Sequence, residues 1–352
     1  MPTAILAEDA ANVIAAARDP LAELEGRTVL VAGAAGFLPS MVVDAIAKHN
    51  TDSDGPPCRV VAVDNHSTGA TGRLAHLAER DDIVFVTHDL TEPLTWDEPL
   101  DHVLHGASIA SPTMYRRAPL QTIDVNVTGT RNLLDLARSN EAQTFLYLSS
   151  SEVYGDPPPD RVPTSEDYWG HVSPTGPRAC YDESKRLAET LVMTYHRLYG
   201  MHVRLARPFN VYGPGLRLDD RRIIPDLLQA ALGQQPLVLF SDGRPSRSFC
   251  YVSDAAAGLL HLLVDDVPDG PYNLGNPEEV TMRETAELVD ELAGGHLGVQ
   301  LEDSTDPEYL TDNPQRRCPD IRHITAATGW KPRVDLREGL RRSLAHYREE
   351  LR

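Results

Sequence analysis

Short apolar runs alternate with longer amphipathic segments from residue 27 to about residue 206. The runs are rich in β-branched and bulky residues, which favour strands. We predict strands at 27–32, 59–63, 83–87, 101–106, 143–149 and 202–206. The segments between them are long enough for crossover helices, a rhythm typical of parallel strands with helices on both faces. The predicted fold class is therefore α/β, with a doubly wound parallel sheet over residues 27–206.

The regions on either side of this segment have different patterns. Residues 1–26 contain a predicted amphipathic helix over 4–18, so we expect a helical extension packed on the main domain. Its apolar face is expected to consist of Ile5, Leu6, Val13 and Ile14. After residue 207, Pro- and Gly-rich stretches separate predicted helices near 223–232, 253–264 and 281–294. We expect residues 207–352 to form mainly a smaller α/β substrate lobe, with segments that return to the main domain.

Composition narrows the class of protein. The 352 residues include 33 basic and 52 acidic ones, which gives a formal net charge of −19. A nucleic-acid partner or an anionic membrane surface would require a basic face, so we expect neither partner. An anionic ligand would have to be bound by clustered arginines or by helix N-termini.

The distribution of cysteine and histidine bears on metal sites and on the cell compartment. The four cysteines lie far apart, and the 13 histidines lack metal-ligand spacing. We therefore predict neither a disulfide framework nor a metal site. The N-terminal segment lacks a signal-peptide pattern, and no later segment is long enough to span a bilayer. We expect a cytoplasmic protein.

A glycine-rich turn after the first predicted strand is the first chemical signal. The stretch VAGAAGFLPS places Gly33 and Gly36 where a dinucleotide-binding turn brings a pyrophosphate close to a helix N-terminus. Pro39 stands where the third glycine of that fingerprint is usual. A proline in the first turn of a helix costs little, so we expect the helix to form with its packing shifted.

The second predicted strand strengthens the case for a cofactor site. It ends in Asp64, whose carboxylate would accept both ribose hydroxyls of an adenosine and repel a 2′-phosphate, so NAD is favoured over NADP. Asp89 ends the third strand, where it would read an adenine amino group or cap a helix. The sheet is therefore predicted to be of the Rossmann type. The other residues expected in the cofactor site are Phe37, Leu38, Asn65, Leu90 and Ala107.

Reactive side chains follow the fifth predicted strand. The run FLYL leads into Ser150, Ser151 and Glu152 at the carboxyl end of that strand, where ligands bind in open α/β sheets. The stretch YDESK then places Tyr181 and Lys185 one turn apart on one face of a helix. A neighbouring ammonium and a nicotinamide cation lower a phenol's pKa. Tyr181 would therefore act as a base on an alcohol, which the Ser150 hydroxyl orients while hydride passes to NAD.

These features resemble the extended short-chain dehydrogenase/reductases that modify nucleotide sugars, the NAD-dependent epimerase/dehydratase family. Within that family, the chain looks most like the UDP-glucuronate decarboxylases that make UDP-xylose. The resemblance covers nearly the whole chain from about residue 27. Its densest runs are SEVYGDP, SEDYWGHVSPTGPRACYDESKR, RSFCYVSD, YNLGNPEE and PQRRCPDI. It implies NAD as the cofactor and a nucleotide sugar, with a UDP-sugar favoured, as the substrate.

The resemblance also implies roles for the reactive residues. Tyr181 matches the catalytic base, and Lys185 matches its partner, which also holds the nicotinamide ribose. Ser150 matches the hydroxyl residue beside the reacting C4 hydroxyl of the sugar, and Ser151 and Glu152 match the Ser-Glu pair of the decarboxylases. Oxidation at C4 would make a β-keto acid, which loses carbon dioxide readily. Glu152, or a water that it orients, would then help to reprotonate C5.

The substrate-binding residues are implied in the same way. Arg247 matches an arginine that acts near the sugar carboxylate. Asn210 and Arg222 match residues that hold the diphosphate and the nucleotide, and Tyr115 matches a residue that lines the sugar site. Family members usually pair through the Tyr181 helix and a helix near 117–138 in a four-helix bundle, so a homodimer is implied.

Three departures from the decarboxylase pattern leave alternatives open. Pro39 replaces a glycine, Ser150 replaces a threonine, and the loop GASIASPTMYRRAP is divergent, with atypical Met114 and with Arg117 where a second tyrosine is common. A 4-epimerase, which would not need Glu152, or a 4,6-dehydratase acting on GDP-mannose, which uses a Ser-Glu pair, is an alternative. The Asp-Glu pair of another dehydratase branch is not matched. A non-catalytic NAD-binding protein is the remaining alternative.

Overall fold

A parallel sheet with helices on both faces organises the chain. The computed structural model describes residues 3–68, 72–302 and 314–351. Its strands are Thr28–Ala32 (β1), Arg59–Asp64 (β2), Ile83–Thr87 (β3), His102–His105 (β4), Thr144–Leu148 (β5), Val203–Pro208 (β6), Val211–Tyr212 (β7), Leu237–Leu239 (β8), Ser246–Ser248 (β9), Cys250–Tyr251 (β10), Gly270–Leu274 (β11), Glu279–Thr281 (β12), Val299–Leu301 (β13) and Arg316–Arg317 (β14). In the described residues, seven strands form the central sheet in the order β11-β6-β5-β4-β1-β2-β3, and every pair is parallel. The predicted doubly wound parallel sheet is confirmed.

The seventh strand of this sheet was not among the six predicted strands. β11 begins with Gly270 and Pro271, a pair that is more typical of a turn. Among the described residues, it pairs only with β6 and lies at the sheet edge, where a proline that lacks an N–H is tolerated. Position in the sheet therefore overrides the local turn signal.

The helices lie between and beyond these strands. They are Ala4–Ala16 (α1), Arg18–Glu23 (α2), Phe37–Asp52 (α3), Pro112–Arg117 (α4), Pro119–Asp124 (α5), Thr130–Ser139 (α6), Ala179–Tyr199 (α7), Ile223–Leu232 (α8), Val252–Val264 (α9), Met282–Ala293 (α10), Arg322–Thr328 (α11) and Leu336–Glu350 (α12). In the described part of the chain, no helix is long and apolar enough to cross a membrane.

The N-terminal extension contains two helices, where the sequence predicted one. The prediction of a single helix over 4–18 is wrong because Pro20 cannot donate the N–H that would continue α1, so the chain restarts as α2 after Ala17. Val13 is buried as predicted, while Leu6 and Ile14 are partly buried against the core. Asp9 is also fully buried, where it accepts hydrogen bonds from the Tyr251 hydroxyl at 2.8 Å and from Arg342 at 2.9 Å.

Within the described ranges, three small sheets outside the central sheet are built mainly from the C-terminal part of the chain. β9 pairs antiparallel with β12 and parallel with β14, and this register sets Arg317 opposite Arg247. β7 pairs with β10, and β8 pairs with β13. Residues far apart in the sequence are thereby brought to one cavity.

Candidate active site

The glycine-rich turn has the shape that a dinucleotide needs. Gly33 has φ of +73°, and a Cβ there would lie 2.7 Å from the Cα of Ala107, so only glycine fits. Gly36 precedes α3, and no described side chain caps that helix N-terminus. Phe37 and Leu38 form the first residues of α3. Backbone N–H groups there are available to a pyrophosphate.

Pro39 lies in the first turn of α3 and does not disrupt it, as predicted. The proline is buried, and a Cβ built on Gly106 would lie 2.6 Å from its ring. The close approach between α3 and the sheet is therefore accommodated by Gly106, after β4, rather than by a glycine at position 39. This packing compensates for the missing third glycine of the fingerprint.

Asp64 is the last residue of β2, as predicted. Its carboxylate accepts hydrogen bonds from the N–H groups of Ala35, at 2.9 Å, and His66, at 2.7 Å. Asp64 and both of these residues line a cavity of about 220 Å³ together with Thr87. A carboxylate fixed at the rim of a small, mostly apolar cavity fits the adenosine half of NAD.

The neighbouring cofactor candidates form a hydrogen-bonded turn. Asn65 donates a hydrogen bond to Asp89 at 3.2 Å, and Asp89 accepts two more from the N–H and the hydroxyl of Thr91. The Thr91 bonds hold the pKa of Asp89 below its ordinary value. Leu90 is buried behind this turn. The described geometry therefore places Asp89 as a cap of its own turn rather than of a helix, and its role toward adenine stays a prediction.

Ser150, Tyr181 and Lys185 come together at the carboxyl end of β5, as predicted. All three are buried, and the Tyr181 side chain hydrogen-bonds Ser150. The Lys185 ammonium donates to the carbonyl of Leu148 at 2.7 Å and lies 5.8 Å from the centroid of the Tyr181 ring. The helix spacing of Tyr181 and Lys185 and the end of β5 thus bring the three predicted catalytic residues together, and we refer to them as the catalytic group.

The pKa values of this group differ from the expectation. Burial raises the pKa of Tyr181 to about 12, although the hydrogen bond with Ser150 opposes the shift. Burial also lowers the pKa of Lys185 to about 7, against the charge of Glu189. The expectation that Lys185 depresses the Tyr181 pKa is wrong for the protein alone, because it ignored desolvation. A cationic nicotinamide would supply the missing positive charge.

Glu152 is held by two arginines that were not among the predicted site residues. Arg317 donates to both of its carboxylate oxygens, at 2.5 and 2.6 Å, and Arg178 donates to one of them at 2.8 Å. Burial by itself would raise the pKa of Glu152, but the two guanidinium groups outweigh it and keep the pKa well below its ordinary range. Glu152 is therefore a fixed anion.

Arg247 lies next to this group. Its guanidinium donates to the carbonyls of Ser246 and Gln315, and burial together with the charge of Arg317 lowers its pKa to about 9. Both missed arginines stand in the quoted runs, Arg178 in GPRACY and Arg317 in PQRRCPDI. Their contact with Glu152 results from the folding of distant segments, and no local sequence pattern predicts it.

Glu152, Arg178, Arg247 and Arg317 line one cavity of about 710 Å³. Tyr115 also lines it, with its ring stacked on that of Tyr181 at 5.1 Å and 12°. Ser151 is buried at the same strand end. The arginines that line it are Arg116, Arg117, Arg178, Arg221, Arg222, Arg247 and Arg317. Such a cluster of arginines is what a protein of net charge −19 would need to bind an anion.

The two predicted nucleotide-binding residues also line this cavity. The Asn210 amide donates to the carbonyl of Ser248 at 3.0 Å, which orients it. Arg222 precedes α8 and forms an ion pair with Asp220. Arg117, from the divergent loop, is exposed at the cavity wall, whereas Met114 is not part of the wall.

Comparison with known proteins agrees with this geometry. Residues 29–275 match the NAD dependent epimerase/dehydratase family. The chain belongs to this family. The predicted family, α/β fold and NAD dependence of this epimerase/dehydratase are thereby confirmed.

Individual relatives of this epimerase/dehydratase share most of its length. UDP-glucuronic acid decarboxylase 1 of Arabidopsis thaliana is 41% identical over 323 residues, which cover 92% of this chain and 70% of that protein. The protein of the same name from Xenopus tropicalis is 39% identical over 333 residues, or 94% of this chain and 74% of that one. A double mutant of the dTDP-glucose 4,6-dehydratase DesIV of Streptomyces venezuelae, solved with NAD bound, is 25% identical with a TM-score of 0.77, over 91% of this chain and 97% of that chain.

Proposed function

We propose that this epimerase/dehydratase is a UDP-glucuronate decarboxylase, which yields UDP-xylose or its 4-keto form. The observation that carries the proposal is the ionised Glu152, held by Arg178 and Arg317 beside the Ser150–Tyr181 pair. The decarboxylases among its relatives support the same reaction. A hexuronate carboxylate and a diphosphate are both anions, and an arginine-lined cavity suits both.

Oxidation at C4 would begin at the catalytic group. Tyr181 would take the proton of the C4 hydroxyl, and Ser150, which already hydrogen-bonds Tyr181, would orient that hydroxyl. Bound NAD supplies reversible oxidation at C4, and Gly33, Gly36 and Asp64 would hold it. Lys185 would hold the ribose next to the nicotinamide.

Loss of carbon dioxide would follow from the ketone at C4. The C5–C6 bond breaks, carbon dioxide leaves, and the electron pair passes into an enolate at C4 and C5. Arg317 and Arg247 would position the carboxylate and stabilise the developing charge. Since its pKa lies well below its ordinary range, Glu152 would act by orienting the water that returns a proton to C5.

Incubation with UDP-glucuronate, followed by mass spectrometry of the nucleotide sugars, tests the function. Loss of carbon dioxide from the sugar supports the proposal. An unchanged mass with inverted C4 stereochemistry by NMR would instead establish a 4-epimerase. The atypical Arg117 in the sugar loop favours testing this second function in the same reaction. GDP-mannose serves as the dehydratase substrate. Turnover of any of these substrates eliminates a non-catalytic role.

We further propose a homodimer built on α5 and α7. These helices pack together, and each exposes apolar side chains: 70% of Leu120, 38% of Ile123 and 47% of Leu187. Exposed apolar residues on neighbouring helices are typical of an interface. Leu120→Glu should therefore yield a folded monomer by light scattering. An unchanged dimer, or a monomeric wild type, would contradict the proposal.

We also propose that residues 27–206 mainly bind the cofactor and residues 207–352 mainly bind the nucleotide sugar. Asp64 ends a strand of the first region, whereas Asn210, Arg222 and Arg317 line the larger cavity from the second. The free cysteines support a reducing, cytoplasmic location.

A further inference from the structure

Asp226 lies in the wall of the larger cavity, and none of the described residues forms a hydrogen bond with its carboxylate. It lies in the first turn of α8 and is half-buried. In the described part of the chain, neither side-chain oxygen forms a hydrogen bond or a short ion pair, and Oδ1 is inaccessible to solvent. Burial raises its pKa to about 6, while the charge of Arg221 lowers it and that of Asp220 raises it. An unsatisfied carboxylate in this position destabilises the free protein.

The other acid in the wall does not resemble it. Glu152 also lines the cavity, but both of its oxygens are taken by Arg178 and Arg317. Arg222, which lies one helical turn before Asp226, is instead paired with Asp220. The described residues of this wall include seven arginines and two acids. Asp226 is therefore the acid among them that can still accept a hydrogen bond from a ligand.

The position of Asp226 separates it from the reactive groups. α8 packs against β8 and α10, and Leu239, Phe240 and Met282 from the ends of those elements line the same cavity. The reactive end is built by β5, α7, β9 and β14 instead. A diphosphate would be repelled by a carboxylate, so the ligand group that faces Asp226 must be an uncharged hydrogen-bond donor. In a nucleotide sugar, the nucleoside supplies such donors away from the reacting carbon.

We propose that Asp226 selects the nucleoside of the substrate by accepting a hydrogen bond from an N–H of the base or an O–H of the ribose. This inference rests on the proposed nucleotide-sugar function. Phosphates would bind the arginines, while the nucleoside would satisfy the free carboxylate. Binding of the nucleoside would thus offset the free-energy cost of the unsatisfied Asp226 carboxylate in the free protein.

Calorimetric titration of the full-length, NAD-loaded protein with UDP, 2′-deoxy-UDP and CDP tests the assignment. Asp226→Ala should weaken UDP binding by about tenfold to a hundredfold, the range for losing a hydrogen bond to a charged group. Loss of the preference for UDP over CDP would identify the base N–H as the donor. Loss of the preference for UDP over 2′-deoxy-UDP would identify the ribose. Glu287→Ala, on the exposed face of α10, removes the same charge and should leave all three affinities unchanged.

Thermal unfolding distinguishes a role of Asp226 in nucleoside selection from a role in the stability of the fold. Without nucleotide, Asp226→Ala and Asp226→Asn should melt at or above the wild-type temperature, because each removes a half-buried charge that no described residue pairs with. Addition of UDP should raise the melting temperature of Asp226→Ala by less than it raises that of the wild type. Undiminished UDP affinity in Asp226→Ala, a lowered melting temperature without nucleotide, or a wild type that binds none of the three nucleotides would overturn the proposal. Binding of UDP without turnover of UDP-glucuronate would refute the proposed reaction only.

Discussion

The pair formed by Glu152 and Arg317 leads to a quantitative prediction. The two side chains are 15% and 8% exposed, and two hydrogen bonds of 2.5 and 2.6 Å join them. Removing one member of a buried ion pair usually costs about 3–5 kcal/mol. Arg317→Ala leaves Glu152 with Arg178 as a partner, so we expect the low end, about 3 kcal/mol. Glu152→Ala removes the anion that Arg178 and Arg317 share, so we expect about 4 kcal/mol.

The double variant measures how strongly the two residues are coupled. If they acted independently, the double variant would lose the sum of the single losses. Because each loss arises mainly from the charge left behind, we expect a total smaller than that sum by about 2 kcal/mol. Urea unfolding of the four proteins gives each value. Decarboxylation of UDP-glucuronate should fall strongly in both single variants.

Arg316 provides a matched control one residue away on β14. Its side chain is 41% exposed and forms an ion pair with Glu279, so Arg316→Ala should cost less than about 1 kcal/mol. That variant should also retain its activity. Equal losses in the Arg316 and Arg317 variants, or additive losses in the double variant, would refute the reasoning.

Two further predictions concern the catalytic group. Tyr181→Phe should lower turnover by about two to four orders of magnitude while NAD affinity, measured by titration, stays unchanged; retained turnover would contradict its role as base. Burial lowers the pKa of Lys185 to about 7 from 10.5, so above pH 7 the unfolded chain holds a proton that the folded protein releases. The free energy of unfolding should therefore rise from about pH 7 to about pH 10 in the wild type, and Lys185→Met should lose this part of the slope. An identical slope in both proteins would show that Lys185 is not the group that titrates.

Local patterns were sufficient to predict one half of the candidate site. Gly33 follows β1, Asp64 ends β2 and Tyr181 lies in the first turn of α7, so their positions depend on neighbours close in the sequence. The parallel sheet was predictable for the same reason, since six of its strands are bulky apolar runs. β11 was missed because Gly270 and Pro271 indicate a turn, and only pairing with β6 makes that segment a strand.

The other half depends on contacts between distant segments. Arg317 is 165 residues from Glu152, and the register of β14 against β9 brings it there. The pKa shift of Tyr181 was missed for a related reason. A helix pattern predicts that Lys185 is near, but the burial that raises the Tyr181 pKa results from the whole fold.

The late position of β14 also has a consequence for synthesis of the chain on the ribosome. The glycine turn, Asp64 and the Ser150–Tyr181–Lys185 group are all translated long before Arg317. A nascent chain released early would hold the cofactor-binding elements and the base but lack an arginine that fixes Glu152. Carboxyl-terminal truncations ending before β14 should therefore be incomplete as catalysts even where the cofactor half folds. The last short strand thus sets the point in elongation at which the active site is complete.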